Sequence, residues 1–260
     1  MILGKDRLMI IDGSSLIYRA FYALPLLSTK DGIYTNGVYG FLTMLYKIKE
    51  EYDPEYLCVA FDKKGPTFRH LEFEQYKGNR DKAPNELSLQ FPILKEILDV
   101  MNVNQIEIDS YEADDIAGTV AKYGEEKDLD VILVSGDKDY LQLVSEKSKV
   151  LLTKKGITDL EIYDMNAMLN EYGITPVQFI DLKGLMGDSS DNIPGVPGVG
   201  KKTGLKLLKE FGSMENIYEH IEDVRGKKTR ESLIENRQQA FMSRKLAEIV
   251  TNVPIALNLD

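Results

Sequence analysis

The chain has 260 residues, 43% of them hydrophobic and 28% charged, with a net charge of -10 and a pI of about 4.9. This is ordinary for a globular protein with one large domain or a domain and an appendix, and no apolar run approaches a membrane span. A single cysteine, Cys58, and two scattered histidines, His70 and His220, exclude a disulfide framework and cysteine-built zinc sites. The acidity argues against nucleic acid, unless the carboxylates are gathered into one site that holds cations.

In chain order, residues 1–6 have no signal-peptide organisation, so a cytoplasmic protein is expected. Arg7-Leu8-Met9-Ile10-Ile11 reads as a short buried strand that Asp12 ends, and Gly13-Ser14-Ser15 leads into a helix through Tyr18 and Phe21. Residues 24–35 form a loop. A helix over about 36–50 follows, with Asn36 as its cap and Val38, Phe41, Leu42, Leu45 and Ile48 on one face. Residues 55–61 are a second buried strand, which places Cys58 in the core and ends at Asp62. Residues 84–101 are helical, kinked or split by Pro92. Strands are predicted at 103–108, at 130–135 and at about 149–152, with a short helix through Leu143 before the last.

Strand and helix alternate to about residue 155, which predicts an α/β fold: a mostly parallel central sheet with helices on both faces. Beyond residue 160 the pattern is all-helical, at 164–172, 175–186, 201–211 and 231–250. The expected division is a core over 1–160 and a helical region over 161–260, with no internal repeat.

In parallel sheets, ligands bind beyond the carboxyl ends of the strands. Asp12, Asp62, Glu112 and Asp137 each follow a predicted strand at that end. The segment Tyr111-Glu112-Ala113-Asp114-Asp115 sets three carboxylates at a helix start. One or two would be ordinary capping residues. Two carboxylates about 4 Å apart repel by roughly 4 kcal/mol at an effective dielectric of 20, so a third shifts the balance towards a held cation. Asp137 and Asp139 are two apart, and Asp188 and Asp191 lie in the loop Gly187-Asp188-Ser189-Ser190-Asp191-Asn192. These nine acids account for nearly all of the net charge of -10. A pocket of oxygen ligands suits hard ions, Mg²⁺ or Mn²⁺, and two such ions serve in-line displacement at phosphorus.

Two further stretches carry binding chemistry. In Ile193-Pro194-Gly195-Val196-Pro197-Gly198-Val199-Gly200-Lys201-Lys202-Thr203, paired Pro-Gly-Val turns join two helices. This reads as a helix–hairpin–helix element that grips a duplex backbone without reading sequence, against a flexible turn with a solvated lysine face. A Walker loop does not fit, because no strand precedes it. Residues 63–82 carry an excess of positive charge interleaved with Phe68, Phe73 and Tyr76, as single-strand binders do.

Together these residues closely resemble the 5′-nuclease family of flap endonucleases and 5′–3′ exonucleases, in particular members that form the N-terminal part of bacterial DNA polymerases. The landmarks are Ile11-Asp12-Gly13, Ala60-Phe61-Asp62, Tyr111 to Asp115, Gly136-Asp137-Lys138-Asp139, and Gly187 to Gly195. The resemblance implies a core of the PIN-like kind with a helix–hairpin–helix region at about 175–212. It implies two divalent ions, one served mainly by Asp12, Asp62, Glu112, Asp114 and Asp115, the other by Asp137, Asp139, Asp188 and Asp191, with Asp12 and Asp115 central to catalysis. It implies a helical arch at about 63–100, in which Phe68 and Arg69 bind DNA, Tyr76 stacks near the displaced strand, and Lys77 and Arg80 steady the scissile phosphate. The hairpin residues Gly195, Val196, Gly198, Val199, Gly200, Lys201, Lys202 and Thr203 would hold the duplex, with K⁺ at Val196, Gly198 and Val199. The implied substrate is DNA with a 5′ flap, nick or free 5′ end, cut to leave a 5′-phosphate as in primer removal and repair. A monomer is implied, joined in a longer protein to a polymerase domain. Gly78 and Gly204 stand where the family commonly has Ala.

Three alternatives remain open at the level of sequence. A non-catalytic junction-binding module of the same fold would bind flaps without cutting. A phosphatase with an aspartyl nucleophile at Asp12 would want a second Asp at position 14, which is Ser. An RNA-directed nuclease of related fold is not separated by any residue here.

Overall fold

The computed structural model describes residues 6–154, 156 and 159–257. The opening read as lacking a signal peptide lies largely outside them. The elements in chain order begin with β1 (Arg7–Asp12), α1 (Gly13–Ala23), α2 (Asn36–Tyr52), β2 (Tyr56–Ala60), α3 (Phe68–Glu72), α4 (Asn85–Ser88), α5 (Gln90–Val100) and β3 (Asn104–Ile106). They continue with α6 (Ala113–Glu126), β4 (Asp130–Ser135), a 3-10 helix (Lys138–Leu143), β5 (Ser148–Thr153), β6 (Leu160–Tyr163) and α7 (Met165–Glu171). The rest is helical: α8 (Pro176–Met186), α9 (Lys201–Phe211), α10 (Met214–Glu219), a short 3-10 helix (Ile221–Asp223), α11 (Lys227–Glu235) and α12 (Arg237–Ala247). None of the described helices is long and apolar enough to cross a membrane.

The chain divides into two compact units, one of residues 1–65, 82–164 and 250–260, the other of residues 66–81 and 165–249. The split differs from the expected boundary near residue 160 in two places. Residues 66–81, expected as part of an arch on the core, group with the helical unit, and residues from 250 onward return to the first.

The first unit is a six-stranded sheet in the order β3-β2-β1-β4-β5-β6. Its first five strands are parallel, and β6 pairs antiparallel with β5. β1 is apolar on both faces because both are covered. Met9 and Ile11 pack with α1, α2 and α5 through Leu16, Phe41, Leu45 and Leu94. On the opposite face α6 packs against β1 and β4, where Gly124 lies over Leu8 and Val131. Cys58 is buried as expected, and burial pushes its thiol up to about 12.

Several local expectations change. Asn36 opens α2 but does not cap it. The buried Gln90 side chain does, its Oε1 accepting the Gly37 and Val38 N–H groups at 2.7 and 3.1 Å. The break near Pro92 falls at Leu89, because proline has no N–H to donate to the carbonyl four residues earlier and is tolerated only in a first turn. β6 interrupts the supposedly all-helical second part, and β3 is shorter than predicted. The helix expected over 231–250 is two helices, α11 and α12, with Asn236 between them.

In the second unit α8 packs against α9 and α12. Two glycines make the turn after α8 possible. Gly187 and Gly195 have φ of +71° and +61°, and a Cβ on Gly195 would stand 2.2 Å from the Gly187 nitrogen. Residues 66–81 pack there through Phe73 and Tyr76, which meet Ile193, Met242, Leu246 and Ala247.

Candidate active site

β1 and β4 are adjacent, and the strand order reverses between them. This switch point opens a crevice at the carboxyl end, the place where such sheets bind ligands. Asp12 ends β1 there, and Asp137 follows β4 by two residues. Close approach of the neighbouring strand requires Gly13, since a Cβ at that position would lie 2.5 Å from the Phe61 ring.

A scaffold of serine hydroxyls orders this edge. Asp12 accepts the Ser15 N–H at 2.8 Å and the Ser135 hydroxyl at 2.9 Å. Ser135 Oγ in turn accepts the Asp137 N–H at 3.0 Å. Ser14 Oγ accepts the Asp62 N–H, and Ser15 Oγ accepts the Gly136 N–H, each at 3.0 Å. Sequence reasoning assigned Ser14 and Ser15 no role beyond opening a helix. Their small side chains directly after a strand-ending Asp were the available signal.

The carboxylates are close enough to perturb one another. Asp12 is buried, and its pKa rises to about 7, first through desolvation and then through the charge of Asp62, with a smaller contribution from Asp137. Asp62 reaches the start of α6, where its Oδ1 accepts the Ala113 N–H at 2.8 Å. Asp114 and Asp62, with Asp12, also act on the buried Tyr140 hydroxyl. Asp137 Oδ1 accepts the Asp139 N–H at 2.9 Å, and Asp139 is buried. Thus Asp12, Asp62, Glu112, Asp114, Asp115, Asp137 and Asp139 gather at one edge of the first unit.

Asp115 has a second occupation that the sequence did not reveal. It is fully buried, its Oδ2 accepts the Glu112 N–H at 3.1 Å, and its Oδ1 accepts the Val250 N–H at 2.8 Å. It therefore braces the returning chain as well as the start of α6. Capping and cation binding, posed as alternatives for this segment, are compatible here.

Among the described residues, no three His, Cys, Asp or Glu side chains close on one ion position. Individual oxygens instead lean on the nearest hydroxyl or backbone N–H. The donor chemistry nevertheless fits hard divalent ions, being all oxygen without thiolate or imidazole. A cation would also offset the burial and the Asp62 charge that lift Asp12.

Asp188 and Asp191 belong to the second unit. Asp188 forms an isolated bridge with Ile193 and ion-pairs with the buried Lys183. Burial opposes its ionisation, but Lys183 and Ser190 outweigh that and hold its pKa below the usual value. Asp191 collects three of the residues assigned to the arch. Tyr76 donates its hydroxyl to Oδ2 at 3.2 Å, Arg80 pairs with Oδ1, and Lys77 Nζ lies 3.8 Å from Oδ2.

The arch expectation needs correction in this structure. Between residues 63 and 84 only Phe68–Glu72 is helical, and residues 74–79 are turns. Tyr76 is buried against the second unit's core, so its ring is not open for stacking. Arg69, expected on DNA, is also buried. Its guanidinium donates to the Leu246 and Glu248 carbonyls at 2.9 and 2.7 Å, closing the end of α12. Phe68 lies under that guanidinium, 4.6 Å from ring centroid to Cζ.

In the hairpin, the side chains of Val196 and Val199 are buried, while Gly198, Gly200, Lys201 and Lys202 are exposed and Thr203 is half-buried. The Val199 N–H donates to the Val196 carbonyl at 3.0 Å. Gly195 is fixed from both sides, its N–H by Ser243 Oγ at 3.0 Å and its carbonyl by Gln239 at 2.6 Å. Lys201 Nζ stands 4.2 Å from the Tyr172 ring centroid.

This architecture recurs in known proteins. The chain is 52% identical over 256 residues to DNA polymerase I of Bacillus subtilis, covering 98% of this chain and 29% of that protein. DNA polymerase I of Streptococcus pneumoniae is 47% identical over 262 residues, with 99% of this chain and 30% of that protein covered. The chain therefore spans about three-tenths of the length of these relatives. Among solved structures, a bacteriophage T5 5′-exonuclease with zinc ions bound aligns with a TM-score of 0.77 at 26% identity, over 94% of this chain and 90% of the phage protein. A T5 flap endonuclease in complex with DNA and metal ions aligns equally well, at TM-score 0.77, 26% identity and the same coverage. Two family models match end to end, the 5′–3′ exonuclease N-terminal resolvase-like domain over residues 7–173 and the 5′–3′ exonuclease C-terminal SAM fold over residues 174–260, and the chain belongs to the 5′–3′ exonuclease family of hydrolytic nucleases.

Proposed function

We propose that this chain is a divalent-metal-dependent, structure-specific 5′-nuclease that hydrolyses DNA phosphodiester bonds near 5′ ends, flaps and nicks and leaves a 5′-phosphate. The observation that carries the reading is the line of carboxylates along the sheet's switch-point edge, where burial first, and then the charges of Asp62 and Asp137, push Asp12 to about 7. Buried and mutually repelling acids of this kind are destabilising in the absence of a cation.

Asp12, Asp62, Glu112, Asp114 and Asp115 would hold one ion, and Asp137 and Asp139 would serve another, while Asp188 and Asp191 are the cation-binding carboxylates proposed on the second unit. Bound Mg²⁺ or Mn²⁺ supplies Lewis-acid neutralisation at phosphorus and makes water a competent nucleophile at neutral pH. The chain's own groups do the rest. Ser15 and Ser135 fix the Asp12 oxygens. Lys77 and Arg80, which pair with Asp191, would supply positive charge for a phosphate. The exposed Gly198, Gly200, Lys201 and Lys202 would grip the duplex backbone, and K⁺ at the Val196, Gly198 and Val199 main chain belongs to the same proposal. So do a cytoplasmic location, a monomeric state, and attachment to a polymerase domain, which the partial coverage of the relatives supports.

The test is a 5′-labelled flap duplex incubated with the chain in Mg²⁺ and in EDTA, with product lengths read on a gel. Cleavage only in Mg²⁺, abolished by Asp137→Asn, is expected. Tight flap binding without cleavage under both conditions would favour the junction-binding module and reject hydrolysis.

A further inference from the structure

Two stretches of the second unit, 110 to 117 residues apart in sequence, are fastened to each other along their main chains. The Lys77 N–H donates to the Asp191 carbonyl at 2.9 Å. The Asn79 side-chain amide donates to the Ser189 carbonyl at 2.7 Å, and Arg80 Nε to the Ser190 carbonyl at 3.2 Å. In return the Asn192 amide donates to the Gln75 carbonyl at 2.7 Å. The turn 75–80 is thus tied to the loop 188–192 by bonds that do not depend on the charge of Asp191.

Packing of Phe73 and Tyr76 already seats this segment on its unit. The further ties fall on the stretch that carries Lys77 and Arg80, both paired with Asp191. Asn192 has φ of +56°, a bend that glycine would make equally well. The bend alone therefore does not account for asparagine, whereas the amide's bond to Gln75 does. The acceptor is kept clear for it, since a Cβ on Gly78 would stand 3.0 Å from the same Gln75 oxygen. Lys77 is itself at φ of +54°, a left-handed conformation that a lysine keeps only when its surroundings hold it there.

We infer that Asn79 and Asn192 are positioning residues for the cleavage, their amides holding the turn 75–80 so that Lys77 and Arg80 present their charges at a fixed place beside the Asp188–Asp191 loop. The two amides act through the main chain they hold and not on the phosphate itself. A backbone fixed before DNA arrives needs less ordering when the phosphate binds, and the charges stand where the reaction wants them. This inference rests on the nuclease reading proposed above and on the role given there to Lys77 and Arg80.

Two variants test it: Asn192→Gly, which keeps the bend and removes the amide, and Asn79→Ala at an exposed position, which carries the test if the first fails to fold. Trypsin is added in EDTA without DNA, and cutting after Lys77 is read by fragment mass. Loss of one hydrogen bond should raise that cutting about fivefold in each variant and leave cutting at the lysines of α9 unchanged. Single-turnover cleavage of the labelled flap in Mg²⁺ should slow about fivefold, with the half-saturating DNA concentration within about twofold of the parent. When Lys77→Ala and Arg80→Ala are already present, the same substitutions should change the rate by less than about twofold, because no charge is left to place. An equal slowing in both backgrounds overturns the inference, and so does unchanged cutting after Lys77, or a rise in cutting at α9 as well. If the parent itself does not cleave the flap in Mg²⁺, it is the nuclease reading that fails, and the two amides lose their role with it.

Discussion

Substituting Asp12 by Asn should abolish the pH dependence that this one carboxylate imposes on the ion-free protein. In the folded chain its pKa is about 7, against 3.8 as the ordinary value. A carboxyl raised in this way holds its proton more tightly when folded. It therefore favours the folded state fully below pH 3.8, and that advantage is lost as pH rises through about 7. With 1.36 kcal/mol per pH unit, the interval from 3.8 to about 7 amounts to roughly 4 kcal/mol lost between acid and pH 8. The substituted side chain cannot ionise, yet its amide can still accept from the Ser15 N–H and donate to Ser135 Oγ. Urea denaturation in EDTA should accordingly give a parent curve that falls relative to Asp12→Asn by about 4 kcal/mol from pH 4 to pH 8. Saturating Mg²⁺ at pH 8 should restore most of that loss in the parent and little in the variant. Parallel stability–pH profiles for the two proteins would refute the claim that burial and Asp62 load free energy onto this residue.

Gly13→Ala should cost about 1–3 kcal/mol in urea denaturation, because its Cβ would stand 2.5 Å from the Phe61 ring, and an unchanged midpoint would show that the strands can part cheaply. Arg69→Met should lower stability by about 3 kcal/mol through the α12 carbonyls it abandons, while leaving the salt dependence of DNA binding unaltered. A reduced salt slope would return Arg69 to the DNA. At pH 5, where Asp12 keeps its proton, Asp115→Asn should slow cleavage and also destabilise the fold by about 1–2 kcal/mol, since it braces Val250, whereas the exposed Asp62 replaced by Asn should leave stability within about 0.5 kcal/mol. Equal stability in both variants would remove the bracing role. Lys77→Ala should lower turnover more than DNA affinity, because its charge is wanted where negative charge develops, and a loss confined to affinity would make it an anchor.

What could be read from the sequence follows from how local its cause is. β1, β4, α8 and α9 are legible because an apolar run, a Thr175 cap with Pro176, or a glycine after Phe211 acts within a few residues. The acid edge is legible for a different reason: in a parallel sheet, strand ends share one side, so residues following separate strands must meet. Gln90 capping α2 was hidden because the donor groups and the acceptor are 52 and 53 residues apart. The split at Asn236 and the short β6 fell below what periodicity resolves over so few residues. Residues 66–81 looked like a solvated basic face, yet Arg69, Tyr76, Lys77 and Arg80 find carbonyls and a carboxylate in the helical unit.

The chain passes between its two units four times, near residues 65, 81, 164 and 249. Trimming at the obvious seam after residue 164 would therefore strip the first unit of the returning segment in which the Val250 and Val253 N–H groups donate to Asp115 and Thr119 at 2.8 and 3.0 Å. A minimal nuclease half made that way would leave a buried anion short of a backbone donor, and should be unstable for that reason alone. Permuting the chain so that residues 250–257 follow residue 164 through a new linker is the dissection that this weave permits.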